Sequence, residues 1–86
     1  MSGGHFNYAQ YKIGDIADSI EQLISEDEDG RYTEETIVQF CTALWLLRRA
    51  EIYAQRIDWL VSGDDGEDSF HKRLALDLAA ESNAAA

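Results

Sequence analysis

Apolar residues recur at three- and four-residue spacing from residue 36 to residue 61, TIVQFCTALWLLRRAEIYAQRIDWLV, which predicts one long helix. Two apolar stripes follow each other along it, the first formed by Ile37, Phe40, Cys41, Leu44 and Leu47, and the second by Leu46, Ala50, Tyr53, Ala54, Ile57, Leu60 and Val61. At about 100° per residue the stripes are offset by roughly 140°. Such a helix needs two partners, and the second is either another part of this chain or an identical subunit. The change of face near 47–50 leaves open a kink or a break.

Two shorter helices flank this central one. The first is predicted over 11–25, with an apolar stripe made of Ile13, Ile16, Ala17, Ile20, Leu23 and Ile24. Thr33 is the predicted N-cap of the central helix and Gly63 its C-terminal stop. A third helix is predicted to begin near Asp68 or Ser69, with Phe70, Leu74 and Leu78 as its apolar row. The sequence therefore predicts an all-α domain over 1–86, with an N-terminal segment, 1–10, and a frayed tail, 82–86.

Length favours self-association. At 86 residues the domain is near the size at which one hydrophobic core gives only modest stability, and oligomerisation is a common remedy. We therefore expect the protein to form a homo-oligomer, so that its main protein partner is a second copy of itself.

The net charge of −10 argues against direct binding to nucleic acid or to anionic membranes. The acids concentrate in two predicted loops, as Glu26, Asp27, Glu28 and Asp29 in the first and Asp64, Asp65, Glu67 and Asp68 in the second. The central helix is locally basic because it carries Arg48, Arg49 and Arg56. A small anionic ligand remains compatible with this distribution.

The single cysteine, Cys41, excludes an intramolecular disulfide and fits a reducing compartment. Its place on the first apolar stripe predicts ordinary core packing. The N-terminus lacks a signal-peptide pattern, and Arg48 and Arg49 interrupt the apolar run well short of a membrane span. We expect a soluble protein of the cytoplasm.

The N-terminal segment, MSGGHFNYAQ, combines glycines with aromatic residues. Unhindered amides at Gly3 and Gly4, beside His5, Tyr8 and Tyr11, are a combination that can hold a phosphate next to a stacked base. The alternative is a leader whose Phe6 and Tyr8 attach the first helix to the core.

A third row lies between the two stripes of the central helix, formed by Trp45, Arg49, Ile52, Arg56 and Trp59. Arg49 and Arg56 can bind a phosphate while the indoles stack a base. The same row can form a protein interface, for which we single out Trp45, Ile52, Trp59 and Leu60, because Trp and Arg dominate interface energetics. The third interpretation is internal packing, with an arginine paired to Asp58 or Glu51.

The sequence contains no recognisable catalytic or metal-binding motif. The sequence has no glycine-rich phosphate loop, no nucleophile elbow and no paired-histidine metal motif. The acidic loop places Ser25 and Thr36 where an EF-hand needs its first and last carboxylates, so we expect a solvated turn there. We predict a protein that is not an enzyme, with no cofactor and no metal.

The stretches SGGHFNYAQY and YAQRIDWLVSGDDGEDSFHKRL resemble a group of short proteins of tailed phages and prophages. The similarity covers most of the chain, and it implies a phage protein that acts in the cytoplasm of a bacterial host. It carries no active-site pattern, so function has to come from the residues.

Three functions fit this setting. In the first, the protein is an oligomeric sponge that sequesters a nucleotide immune signal, with basic and aromatic residues converging at a subunit boundary. In the second, it is an acidic inhibitor or DNA mimic that blocks a host defence complex, with its acidic loops on one exposed face. In the third, it is a structural or regulatory phage accessory protein.

Overall fold

The structure is a computed structural model that describes residues 4–85, with side chains described as far as Glu81. Three helices form this part of the chain: α1 (Gln10–Ser25), α2 (Glu34–Val61) and α3 (Glu67–Ala85). The predicted all-α fold is confirmed. The central helix runs without a break through 47–50, so the apolar stripe changes face on a single helix. The backbone of 82–85, which we predicted to fray, continues α3.

Local side-chain chemistry sets the ends of α2. Thr33 Oγ1 accepts a hydrogen bond from the Thr36 amide at 3.3 Å, which confirms the predicted N-cap. Glu34 and Glu35 then occupy the first turn, where carboxylates interact favourably with the helix dipole. At the other end Gly63 has φ +84°, a conformation that glycine adopts without steric cost.

The first helix packs antiparallel against α2 through its smallest residues. Gln10, Gly14 and Ala17 are buried, and a Cβ at residue 14 would collide with the Glu51 carboxylate. This close approach differs from the predicted contact, because Ile16 (53%) and Leu23 (50%) on the expected stripe are exposed. The spacing of the aliphatic residues of α1 predicted a wider buried face than the one that α2 covers.

The chain has little core of its own. Both α1 and α3 pack on α2 and make no contact with each other within the described residues. The result is a flat layer with extents of 48 × 25 × 14 Å and a radius of gyration of 15.3 Å, where about 12 Å is typical of a compact domain of this length. Ala17 is the one fully buried apolar residue in the described range.

The predicted core position of Cys41 is wrong, because its side chain is exposed. It lies beyond the part of α2 that α1 covers, beside Ile37, Val38, Thr42 and Trp45 on the rim of a shallow surface groove. The first stripe is therefore only partly used for packing within the chain.

Candidate functional site

A buried carboxylate near the end of α2 organises the N-terminal segment. Asp58 has no exposed surface. Its Oδ2 accepts hydrogen bonds from the Gly4 amide at 3.0 Å and from Gln10 Nε2 at 3.2 Å, and its Oδ1 accepts one from the Phe6 amide at 3.1 Å. Burial raises the pKa of Asp58, but the hydrogen bonds from backbone Phe6, Gly4 and His5 and from Gln10 lower it more, so the pKa lies below its ordinary value.

These bonds hold a strained stretch of backbone. Asn7 and Tyr8 both adopt left-handed conformations, with φ +54° and +60°, and such residues each cost on the order of 1 kcal/mol. The Asn7 amide donates to the Gly4 carbonyl at 3.1 Å, and the Ala9 amide donates to the Phe6 carbonyl at 3.0 Å. Asp58 thus fixes two tight turns that lead directly into α1.

Of the two predicted anion-binding amides, the one at Gly4 does bind an anion, but that anion is Asp58. The Gly4 amide is occupied by the carboxylate, so a phosphate would have to displace an internal partner. The His5 ring contacts the Phe6 ring edge-on at 4.9 Å between centroids. Gly3, the other glycine of the predicted site, lies outside the described residues.

A groove opens beside this anchored segment, between α1, α2 and α3. Its volume is about 330 Å³, and it is lined by Tyr11, Glu51, Ile52, Gln55, Arg56, Trp59 and Asp77. We call it the α2 groove. It brings together predicted ligand residues from two distant parts of the sequence, Tyr11 and Arg56, and two predicted interface residues, Ile52 and Trp59.

Arg56 is held in the groove from two sides. Its Nε donates to Asp77 Oδ2 at 2.7 Å, and its guanidinium lies 4.7 Å from the centroid of the Trp59 ring. The pairing differs from the predicted partners, Asp58 and Glu51. The contact with Asp77 leaves the two Nη groups of Arg56 without a hydrogen bond to the described residues, so they can still donate to a ligand.

Two carboxylates give the groove acceptors as well. Asp77 is paired with Arg56, whereas Glu51 lies against the backbone of α1 at Gly14. Burial raises the pKa of Glu51, and Arg48 offsets only part of that rise. The groove therefore combines one cation, two carboxylates and two aromatic faces.

The aromatic wall continues along the N-terminal segment. The Tyr8 and Tyr11 rings are stacked, with 6.3 Å between their centroids and an interplanar angle of 18°. Both are about half exposed, and Tyr11 also lines the α2 groove. A flat ligand in the groove would meet this pair at its edge.

The remaining predicted residues lie elsewhere. Arg49 stacks on Trp45 at 3.7 Å from the ring centroid, and it lies about 10 Å along α2 from Arg56. Trp45 belongs to the shallow groove beside Cys41, and Leu60 is half-buried outside the α2 groove. The structure therefore divides the predicted Trp and Arg row between two surfaces.

Sequence reasoning missed several residues of this site, namely Asp58 as the anchor and Glu51, Gln55 and Asp77 as groove residues. A signal for Asp58 was present, because Glu51, Gln55 and Asp58 follow one another about one helical turn apart and so form a polar row on one face of α2. Asp77 carried no such signal, since its partner lies 21 residues away.

The two acidic blocks lie at opposite ends of α2. One precedes Glu34 and the other follows Val61, and a helix of 28 residues separates them by about 42 Å. A single protomer therefore does not gather its acidic loops on one face.

Comparison with protein families, curated proteins and solved structures finds no match to this chain. Within residues 4–85, no group of His, Cys, Asp and Glu side chains is arranged to hold a metal ion. None of the three described helices is both long enough and apolar enough to cross a membrane.

Proposed function

We propose that this protein is a non-catalytic phage counter-defence protein, an oligomeric sponge that sequesters a small nucleotide immune signal in the bacterial cytoplasm. One observation carries the proposal: Tyr11, Arg56 and Trp59 converge on a groove of about 330 Å³. That volume is at the lower end of small-molecule sites, about 300 to 1,000 Å³. The phage setting rests on the resemblance of the sequence motifs.

The groove suits the base and ribose of a nucleotide better than a cluster of phosphates. Trp59 and Tyr11 offer faces for base stacking, worth about 1–3 kcal/mol per base. Glu51, Gln55 and Asp77 offer oxygen acceptors for exocyclic amines and ribose hydroxyls. The ligand site that we propose lies within one protomer, whereas the sequence led us to expect it at a subunit boundary.

Arg56 is the proposed phosphate contact. Asp77 fixes its Nε, and Trp59 fixes the plane of the guanidinium, so the arginine loses little side-chain entropy when a ligand binds. Its Nη groups then donate to one phosphate at the groove rim. Because the Gly4 amide, which we predicted to bind phosphate, binds Asp58 instead, we assign the phosphate to Arg56.

The acidic inhibitor or DNA mimic is the weaker candidate. Mimicry of a nucleic acid requires carboxylates in a continuous array on one surface. The acidic blocks of one protomer instead lie about 42 Å apart. No specific observation favours the third candidate, a structural or regulatory accessory role.

The test is a panel of cyclic dinucleotides, linear oligonucleotides and ADP-ribose-type nucleotides, screened by thermal shift and measured by calorimetry. At least one should raise the melting temperature of the native protein. Arg56→Ala should then weaken its binding by about 1.5–3 kcal/mol, the value of a charged hydrogen bond. Tyr11→Ala should weaken the same ligand through lost stacking.

Arg48→Ala is the matched control. Arg48 also lies on α2, but it pairs with Asp18 at 2.7 Å on the outer surface of α1 and does not line the groove. Its removal should reduce nucleotide affinity far less than Arg56→Ala does, because Arg48 is linked to the groove only by its charge interaction with Glu51. No shift with any nucleotide, or equal losses in the Arg56 and Arg48 variants, would contradict the proposed site.

A further inference from the structure

A stripe on α2 that faces neither α1 nor α3 has the spacing of a helix-pairing surface. Its members follow one another at intervals of four, three, four and three residues: Leu46, Ala50, Tyr53, Ile57 and Leu60. This is the a and d spacing of a heptad repeat, at which helices pair along a narrow seam. None of the five is charged. We call this stripe the α2 seam.

Four of the five seam residues are left uncovered by the other described elements, whereas Leu60 is half-buried. Leu46 is 55% exposed and Tyr53 is 45% exposed, while Ala50 and Ile57 are also exposed. At about 100° per residue the seam is offset by roughly 140° from the residues of the α2 groove. The helix thus presents its second apolar face directly outward.

The missing burial has the size of an interface. The chain has an accessible surface of 6075 Å², whereas a compact monomer of 9.7 kDa has about 5,100 Å². The excess is roughly 1,000 Å², and a stable interface buries about 800 Å² on each partner. A second chain on the seam would bury part of this excess.

We propose that the α2 seam binds the α2 seam of a second copy of this chain, antiparallel, around a two-fold axis. In that register Leu46 packs against the second copy's Ile57, which pairs two branched aliphatic side chains of equal size. Ala50 packs against its Tyr53, which sets a small residue against a large one. A parallel pair would instead oppose two tyrosines in one layer and two alanines in the next. An antiparallel, isologous contact repeats the same complementary pairs on both sides of the axis.

The surroundings of the seam support the same occupant. An apolar groove of about 250 Å³ adjoins it, lined by Phe6, Ala9, Gln10, Ile13 and Ala54, and it extends the surface toward α1. None of the seam residues carries a carboxylate, so two copies with a net charge of −10 each do not oppose acidic side chains along the seam itself. A seam without charge also leaves no buried unpaired group at the contact.

This inference deepens the proposed function, which takes the protein to be an oligomer, and it assigns the self-contact to a face away from the ligand groove. Self-association needs no nucleotide, so it can fail while nucleotide binding succeeds. The two outcomes are therefore distinguishable.

The test is light scattering coupled to gel filtration, without ligand, on the native protein, on Ile57→Glu and on Leu76→Glu. The native protein should have at least twice the monomer mass at micromolar concentration. Ile57→Glu should be shifted to the monomer, with a dissociation constant for self-association at least tenfold larger. Leu76 is 61% exposed on α3, so Leu76→Glu is the matched control and should keep the native mass. Circular dichroism checks that each variant retains its helix content.

Three outcomes would overturn the proposal: a monomeric native protein, a folded Ile57→Glu variant that keeps the native mass, or a Leu76→Glu variant that dissociates equally. Where Ile57→Glu loses helix content, the milder Tyr53→Ser replaces it, and the same criteria apply.

The exposed native Cys41 provides a labelling site from which the relative orientation of the two α2 helices can be measured. In the antiparallel register the two copies of residue 41 lie about 30 Å apart along the helix axis, because each is opposite residue 62 of the other copy. Spin labels on Cys41 should therefore give a distance of about 30 Å or more by pulsed electron resonance. A distance under about 20 Å would contradict the antiparallel arrangement.

Discussion

Two faces of the same helix, α2, differ in what their side chains do. On the face toward α1 and α3, polar residues make specific contacts inside the chain: Asp58 binds the N-terminal amides, Arg56 binds Asp77, and Arg48 binds Asp18. On the opposite face, Leu46, Ala50, Tyr53 and Ile57 are exposed and uncharged. The difference separates contacts that fold the chain from contacts that we assign to a second copy.

The comparison shows where specificity comes from in so thin a protein. Ala17 is the one apolar residue that is fully buried in the described part, so apolar burial alone cannot fix how α1 and α3 lie on α2. The directional hydrogen bonds of Asp58 and the Arg56 ion pair supply that geometry. The uncharged face instead offers apolar surface and no directional hydrogen bonds, which suits a symmetric contact between two copies.

The largest expected effect comes from breaking the polar face at its anchor. Asp58→Asn keeps the shape of the side chain, but an amide has one oxygen where the carboxylate has two. Its NH2 group must therefore face the N–H donor of either Gly4 or Phe6, and that donor loses its acceptor. The Asn7 and Ala9 amides, which close the two turns, should exchange with deuterium at least about tenfold faster. Hydrogen exchange by NMR measures this directly.

The exposed loop residue Asp29 provides the control, because Asp29→Asn should leave those two amides unchanged. Unaltered exchange in Asp58→Asn would show that the carboxylate does not hold the N-terminal segment.

Acid should reproduce the Asp58 effect in the native protein. Because the folded-state pKa of Asp58 is lowered, its carboxylate stabilises the fold above the ordinary aspartate pKa of about 4, and that stability is lost as pH falls through the lower folded-state value. Exchange at Asn7 and Ala9 should therefore stay slow at pH 5 and accelerate below about pH 4 relative to intrinsic rates. Protection that declined already between pH 7 and pH 5 would implicate another group.

A smaller effect of opposite sign is expected at Glu51. Its raised pKa means that the ionised form costs stability, and this cost is absent below the ordinary glutamate pKa of about 4.3 and grows as pH rises through the folded-state value. Glu51→Gln should raise the melting temperature at pH 7 by roughly 2–5 °C. At pH 4 the two proteins should melt together.

Thermal unfolding at the two pH values gives both numbers. A variant that melts lower than the native protein at pH 7 would mean that Glu51 has a stabilising contact that outweighs its burial.

The smallest effect is expected at Cys41, which belongs to neither face of the comparison. Since the thiol is exposed, Cys41→Ser should change the free energy of unfolding by less than about 0.5 kcal/mol. The native thiol should react with a disulfide reagent as fast as an unprotected cysteine does. Slow labelling would place a second protein contact at the N-terminal half of α2.

The sequence predicted the elements well because their signals are local. The Thr33 cap, the Gly63 stop and the helical spacing all act within a turn or two of the chain. The offset of about 140° between the two stripes on α2 also proved informative. It predicted that one helix would need two partners. Both α1 and α3 pack on α2, and they still leave most of the second stripe exposed.

The site was harder to predict because its contacts join residues far apart in sequence. The Gly4 amide and Asp58 are separated by 54 residues, and no local pattern distinguishes a carboxylate that binds a distant amide from one that is solvated. The same limit explains Cys41, whose spacing fits a core position that α1 is too short to cover. Spacing identifies a face, but the length of the neighbouring helix decides what is buried.

The most direct test of the division between the two faces is a nucleotide thermal-shift titration performed in parallel on the native protein, Ile57→Glu and Arg56→Ala. The same nucleotide should stabilise the native protein and the dissociated Ile57→Glu variant with affinities within about threefold, while Arg56→Ala should bind at least about tenfold more weakly. If Ile57→Glu abolished nucleotide binding while it remained folded, the ligand would lie at the subunit boundary. The assignment of separate functions to the two faces of α2 would then be wrong.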